Sequence, residues 1–250
     1  PFSDNTKINT LNHTTFTVLD NNIGRSAIRN LLAKKANYNT LLFVDAGTFP
    51  KEKNFIASYL NSIHKDVVIG GMMPKEIAPE KPYRLRWLYT KTREASYDSN
   101  GENRHVLISS NFLIKKSVIE TYPFDESLTT YGNEDVLFFH TLQANKIDLS
   151  FINNPVIHAA DDDANTYVNK AESTIRNLVF LLEANKLDEK KFKIAVLHSK
   201  LKKVMLDKLV LLVFKTTKPI LLKNFNSSSP SILLFDFYKL GYYCSYKTKN

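Results

Sequence analysis

Cysteine is almost missing from this chain. Its 250 residues hold one, Cys244, so no disulfide can close within the chain. Cysteine-rich zinc sites are excluded with it, and a lone thiol fits a reducing compartment. Glycine is scarce, with seven residues in all. None lies in a GxxxxGK[ST] or GxGxxG pattern, which sets aside P-loop enzymes and dinucleotide-binding Rossmann domains. No GxSxG elbow is present either. Long apolar runs are lacking too. The longest, Leu209 to Phe214, is closed off by Lys208 and Lys215, far short of the roughly 18 residues that cross a bilayer. No signal-peptide pattern opens the chain, and its start at Pro1 leads us to expect a missing upstream segment.

What remains is an ordinary globular composition, 43% apolar and 24% charged. A chain of this length buries roughly 70% of its unfolded surface. The net charge of +9 is unevenly placed. Residues 1–180 hold 20 basic and 20 acidic side chains, whereas the last 70 hold 14 basic and 5 acidic. The division predicts a neutral working domain over residues 1–184 and a basic helical extension over 185–250. Apolar positions at Ile194, Leu197, Leu201, Val204, Met205, Leu209 and Leu212 interleave with lysines, as in an amphipathic basic helix. Such a helix either packs on the domain before it or rests on an anionic membrane surface. No nucleic-acid motif accompanies the charge, so nucleic acid is not an expected partner.

The apolar pattern alternates between strand and helix. Phe16 to Leu19 reads as a strand and Arg25 to Lys35 as a helix. Thr40 to Val44 (TLLFV) reads as a strand buried on both faces, and Pro50 as the first turn of a helix through Leu60. Val67 to Ile69, Val106 to Ile114, Ile147 to Phe151 and Asn154 to His158 follow as strands. Tyr83 to Tyr97, Asn133 to Ala144 and Tyr167 to Ala184 follow as helices, and Met72 to Pro82 reads as a loop. This order predicts an α/β fold with a mostly parallel sheet flanked by helices, and a C-terminal helical extension. Ligands bind beyond the carboxyl ends of such strands. Asp45, Gly70, Gly71 and His158 all fall at strand ends.

Asp45 is placed to hold a metal or a sugar hydroxyl, or to act as a plain turn aspartate. Glu134 and Asp135 start a predicted helix, whose dipole favours both anions. A cap needs only one acid, so the second is free to act as a general base. His158 is either a structural histidine or a ligand. Arg84, Arg86 and Arg93 can neutralise phosphate or simply face solvent.

Taken in order, several segments resemble the family 2 glycosyltransferases of the GT-A fold. They are Asn22-Ile23-Gly24-Arg25-Ser26-Ala27-Ile28-Arg29-Asn30, Leu42-Phe43-Val44-Asp45-Ala46-Gly47, Gly70-Gly71, Ser110-Asn111-Phe112-Leu113-Ile114, Phe124-Asp125-Glu126, Tyr131-Gly132-Asn133-Glu134-Asp135 and Asn154-Pro155-Val156-Ile157-His158. The resemblance covers roughly residues 15–180. It implies a GT-A-like, Rossmann-like fold lacking its first strand–helix–strand unit. It also implies transfer of a sugar from a nucleotide-sugar donor to a glycan or lipid-linked acceptor hydroxyl, usually with inversion. The expected setting is surface polysaccharide or glycolipid synthesis, in the cytoplasm or peripherally on the inner face of the membrane. By the match, Asp135 is the general base with Glu134 beside it. Asp45, Arg25, Asn30, Gly70, Gly71 and Arg84 lie toward the donor, and Asp45 and His158 would share Mn²⁺ or Mg²⁺. Gly47 stands where the family's metal motif carries a second acid. The alternative is a non-catalytic relic that binds glycan or a membrane surface.

Overall fold

The computed structural model describes residues 12–97, 102, 104–159 and 161–249. Among these, seven strands form two sheets. They are β1 (Thr40–Val44), β2 (Thr48–Pro50), β3 (Val67–Ile69), β4 (Met72–Pro74), β5 (Asn111–Lys115), β6 (Leu149–Phe151) and β7 (Val156–His158). One sheet has the order β1-β5-β3-β6 and the other β2-β7-β4. The helices are α1 (Gly24–Lys35), α2 (Phe55–Leu60), α3 (Arg84–Tyr89), α4 (Lys116–Thr121), α5 (Glu134–Ala144), α6 (Ala164–Glu183), α7 (Lys193–Lys203), α8 (Asp207–Phe225) and α9 (Ile232–Lys249).

The α/β class and the C-terminal helical region match the sequence reading. In the four-stranded sheet β1, β3 and β6 point one way, as that reading expects, and β5 alone is reversed. Strands β3 and β6 run parallel, as do β4 and β7, but β5 is antiparallel to both β1 and β3. The register supplies the reason. Asn111 opens β5 opposite Val44, and Phe112 lies opposite Ile69, so β5 begins where β1 and β3 end. The excursion over residues 70–110 thus leaves and re-enters the sheet at one end, and a chain that does so must run backwards.

Other elements differ for equally local reasons. Strand β1 is an edge strand, and Val44 is exposed rather than buried. Pro50 ends β2 instead of opening a helix. An edge strand tolerates its missing N–H. The expected loop after Gly71 contains β4. Phe16 to Leu19 carries no strand pairing, and Val18 is exposed. Residues 106–110 approach β5 without joining it.

The central core lies between β3, β5 and α5. Val67, Val68, Phe112 and Ile114 are buried from the sheet side, and Phe138, Phe139 and Leu142 from the helix. Phe124 stacks on Phe138 with ring centroids 3.9 Å apart, which ties the 124–126 loop to α5. Gly70 sits where three groups crowd the end of β3. A Cβ there would lie 2.2 Å from the Tyr59 hydroxyl and 2.7 Å from the Asn154 carbonyl oxygen.

Glu183 closes α6, so a boundary near residue 184 falls between helices. The apolar clusters nevertheless run across it. Phe214, Phe225, Phe235 and Tyr238 share a core with Leu85, Tyr167 and Val168. Ala195 and Tyr243 share another with Leu137, Ile175 and Val179. The single amphipathic helix expected over 188–214 is broken into α7 and α8, and Met205 between them has a φ of 59°.

Candidate functional site

Helix α1 presents Arg25 and Arg29 four residues apart, on one face. That face looks at the carboxyl end of β1 and the start of α5. The Arg29 guanidinium donates to Asp45 Oδ1 at 2.8 Å and to Glu134 Oε1 at 3.4 Å. Arg25 reaches Glu134 Oε1 at 3.2 Å and Asp45 Oδ2 at 3.4 Å. Two arginines therefore bridge two carboxylates that are far apart in the chain. The side chains of Arg29 and Glu134 are only 6% and 3% exposed, while that of Arg25 is 46% exposed. The buried half of this cluster is architectural, and the Arg25 half opens to solvent. The sequence by itself assigns Arg29 no role. Its spacing from Arg25 was visible, but its acidic partners were not.

The segment before α5 is fixed by α6. The Asn177 side-chain amide donates to the Thr130, Tyr131 and Gly132 carbonyls at 3.2, 3.3 and 2.8 Å. Asn133 donates to the Thr174 carbonyl at 2.7 Å and adopts a left-handed φ of 66° just before the helix. Gly132 has a φ of 100°, and a Cβ there would lie 2.1 Å from Thr174 Oγ1 and 3.0 Å from its Cα. We expect Gly132→Ala to destabilise the chain by about 2–3 kcal/mol, from the forbidden φ together with the clash. Urea unfolding measures it, and a loss under about 0.5 kcal/mol would show that the turn relaxes freely.

This turn sets the two acids on opposite duties. Glu134 turns inward to the arginines. Asp135 accepts the Val136 N–H at 2.8 Å and makes no ion pair among the described residues. Burial, then the neighbouring Glu134 charge, push the Asp135 carboxyl up to about 7, against the pull of Arg29, the Val136 N–H and Arg25. A carboxyl poised there can take or give a proton near neutral pH. Tyr131 forms the adjoining wall. The Arg25 guanidinium lies 5.0 Å from its ring centre and the Lys170 ammonium 5.1 Å. Lys170 is held by Asp162 at 2.6 Å.

The other sequence candidates have different surroundings. Asn30 donates to the Phe124 carbonyl at 2.9 Å and to Glu126 at 2.8 Å, and accepts from the Phe124 N–H. Its amide pins the 124–126 loop. Arg84 donates to the Pro79 and Ser228 carbonyls, joining the 75–83 loop to the C-terminal helices. Gly70 and Gly71 are demanded by packing. Gly71 has a φ of 88°, and a Cβ on it would meet Ser96. Arg93 pairs with Asp236 at 2.6 Å. Arg86 is buried, bonded to Glu94 and set over the Tyr167 ring at 4.9 Å.

His158 lies on β7, paired with Thr48 of β2. Burial, then the Arg86 charge, lower its pKa, with Glu94, Asp161 and Asp162 opposing. Asp45 is not among the groups that act on it most strongly. Each carboxylate oxygen of Asp45 accepts from one guanidinium, and no three His, Cys, Asp or Glu side chains converge among the described residues. Asp45 and His158 would thus be the two protein ligands of a metal there, with no third among the described residues. Gly47 has a φ of 79°, and the Asp161 carboxylate comes within 4.0 Å of where its Cβ would stand. Asp161 thus brings an acid close to the position where the motif lacks one.

No family model matches the chain, and no curated protein does. Among solved structures, the chain is similar to S. aureus TarS. One TarS structure matches at 17% identity and a TM-score of 0.37, covering 64% of this chain and 28% of that one. A second, of residues 1–349, matches at 16% identity and a TM-score of 0.38, covering 93% of this chain and 74% of that one. A third, of the same residues in complex with UDP, matches at 16% identity and a TM-score of 0.40 over the same shares.

Proposed function

We propose that this chain is a glycosyltransferase that moves a sugar from a nucleotide-sugar donor to an acceptor hydroxyl with inversion. The observation that carries the reading is the pair of adjacent acids with divided roles. Glu134 is locked between two arginines, while Asp135 holds a carboxyl pushed up to about 7. The order of motifs from residue 22 to residue 158 supports the same reading.

In the proposed reaction, ionised Asp135 takes the proton of the acceptor hydroxyl as its oxygen attacks the anomeric carbon. The bond from that carbon to the diphosphate oxygen breaks. The nucleoside diphosphate leaves with the electron pair, and one displacement inverts the centre. Arg25, the exposed guanidinium of the cluster, meets the charge of the departing diphosphate. Asp45 receives the donor ribose hydroxyls beside it. The pathway proposed is surface polysaccharide or glycolipid synthesis. The test is nucleoside-diphosphate release from a panel of nucleotide-sugars, with and without saccharide acceptors. Release from one donor by the parent but not by Asp135→Asn supports the proposal. A folded chain that releases none would leave the relic reading.

The same proposal places the chain on the inner face of a membrane through α7 and α8. No described helix is long and apolar enough to cross one. Val204, Met205, Leu209 and Leu212 are exposed beside the exposed Lys200, Lys202, Lys203 and Lys208. Apolar contact and lysine charge act together on anionic lipid. Removing residues 185–250 would strip two cores, so charge removal is the cleaner test. The parent should float with phosphatidylglycerol vesicles and release in salt. Replacing the four lysines with Gln should weaken binding about tenfold or more. Equal binding by both would return these helices to packing alone.

A further inference from the structure

Tyr131 adjoins the acid–arginine cluster but has no task in the scheme above. It stands four residues before Asp135, in the turn that α6 fixes, and its carbonyl accepts from the Asn177 amide at 3.3 Å. The Arg25 guanidinium and the Lys170 ammonium lie over its ring, 5.0 and 5.1 Å from the centre. Backbone and ring are both held, so the hydroxyl is what the side chain still offers. That hydroxyl makes no hydrogen bond among the described residues, and solvent still reaches it. The charges acting on it most strongly are those of Arg86, Arg25, Glu94 and Asp135. It therefore lies between two charged groups. One is the Arg25 and Asp135 cluster at the start of α5. The other is the Arg86–Glu94 pair, whose charges also act on His158.

We propose that Tyr131 is a further substrate contact, whose hydroxyl bonds a hydroxyl of the sugar being transferred. The inference rests on the transferase reading. There the proton is taken at Asp135 and the diphosphate departs toward Arg25, so the sugar lies between these two groups. Tyr131 is close to both, with Arg25 over its ring and Asp135 among the charges it meets. The balance of charge selects the kind of group bound. Arg86 is paired with Glu94, Lys170 with Asp162, and Arg25 and Arg29 with Asp45 and Glu134. Each cation has an acid, so the spot suits a neutral hydroxyl better than a further phosphate. Burial pushes the phenol up to about 12, against the pull of Arg86 and Arg25. It keeps its proton at neutral pH, and it both donates to and accepts from a sugar hydroxyl. A half-buried hydroxyl with no protein partner calls for one from water or ligand.

Tyr131→Phe removes this oxygen and leaves the ring to its two cations. Because the hydroxyl bonds no described residue, the urea midpoint should stay where it is. The calorimetric probes are UDP-glucose, UDP-galactose, UDP-N-acetylglucosamine and GDP-mannose, each beside its own nucleoside diphosphate, UDP or GDP. A nucleotide-sugar that the parent binds should bind the variant about 3–10-fold more weakly, the share of one neutral hydrogen bond. Affinity for the nucleoside diphosphate should hold. A contact with the diphosphate, or a purely structural role, would weaken both alike. Three results would overturn the proposal: no nucleotide-sugar bound by the parent at millimolar concentration, equal weakening of both kinds of probe, or unaltered nucleotide-sugar affinity in the variant. Binding is read without transfer, which separates the two readings. A parent that shows the predicted binding difference but releases no nucleoside diphosphate keeps the contact and loses the transferase. A parent that transfers sugar, with a variant of equal affinity, keeps the transferase and loses the contact.

Discussion

Asp135→Asn is expected to cut sugar transfer by roughly 10²–10⁴-fold, the usual contribution of general acid–base catalysis. The same substitution should make the protein more stable in alkali. The Asp135 carboxyl has an ordinary value of 3.8, while in the folded chain it is pushed up to about 7. Between these values the folded chain holds a proton that the unfolded chain has lost. Stability therefore falls as pH rises through that window. Asn cannot ionise, so it escapes the penalty. Asp135→Asn should gain about 1–3 kcal/mol over the parent at pH 8 and almost nothing at pH 4. Urea midpoints at the two pH values check the sign. A helix-capping aspartate would behave oppositely, with a loss near neutral pH and unchanged turnover.

Arg29→Met is expected to cost about 3–5 kcal/mol at pH 7, because it strips one of two partners from the buried Glu134. The loss should not be additive with Glu134→Gln. The double variant removes the charge that Arg29→Met leaves stranded, so it should recover more than about 1 kcal/mol of the summed losses. Arg25→Met should cost under about 1 kcal/mol, since that guanidinium is half exposed. Its effect belongs on donor binding instead. Equilibrium unfolding of the four variants tests the set. Equal losses for Arg25 and Arg29 would mean that burial does not divide their roles.

These two residues also show what a sequence discloses. Arg25 and Arg29 stand at helical spacing in a segment that resembles a donor motif, so a shared face was legible. Their bridging of Asp45 and Glu134 was not, because those partners lie up to 109 positions away. The two-acid start of α5 was legible from its residues alone. The devices that aim it, Asn177 and Thr174 on α6, are ordinary polar residues within an amphipathic pattern. Strand TLLFV is legible as a strand but not as an edge strand, since an apolar run looks the same at the edge of a sheet as at its centre. The direction of β5 was hidden for another reason. Period and propensity carry no sign, and only the return of residues 70–110 to the end they left reverses it. Asn30 and Arg84 are polar residues in suggestive places, and their bonds to the 124–126 loop and to the Pro79 and Ser228 carbonyls are invisible in the sequence.

The most direct test of Asp135 as the base is the pH dependence of nucleoside-diphosphate release from the donor that the panel identifies, in the parent and in Asp135→Asn. Release by the parent should rise with pH and level off above an inflection near 7, where Asp135 becomes ionised. The variant should show a flat profile at the low residual rate. A parent profile without that inflection, or a variant that reproduces the parent's rates across the range, would contradict the account.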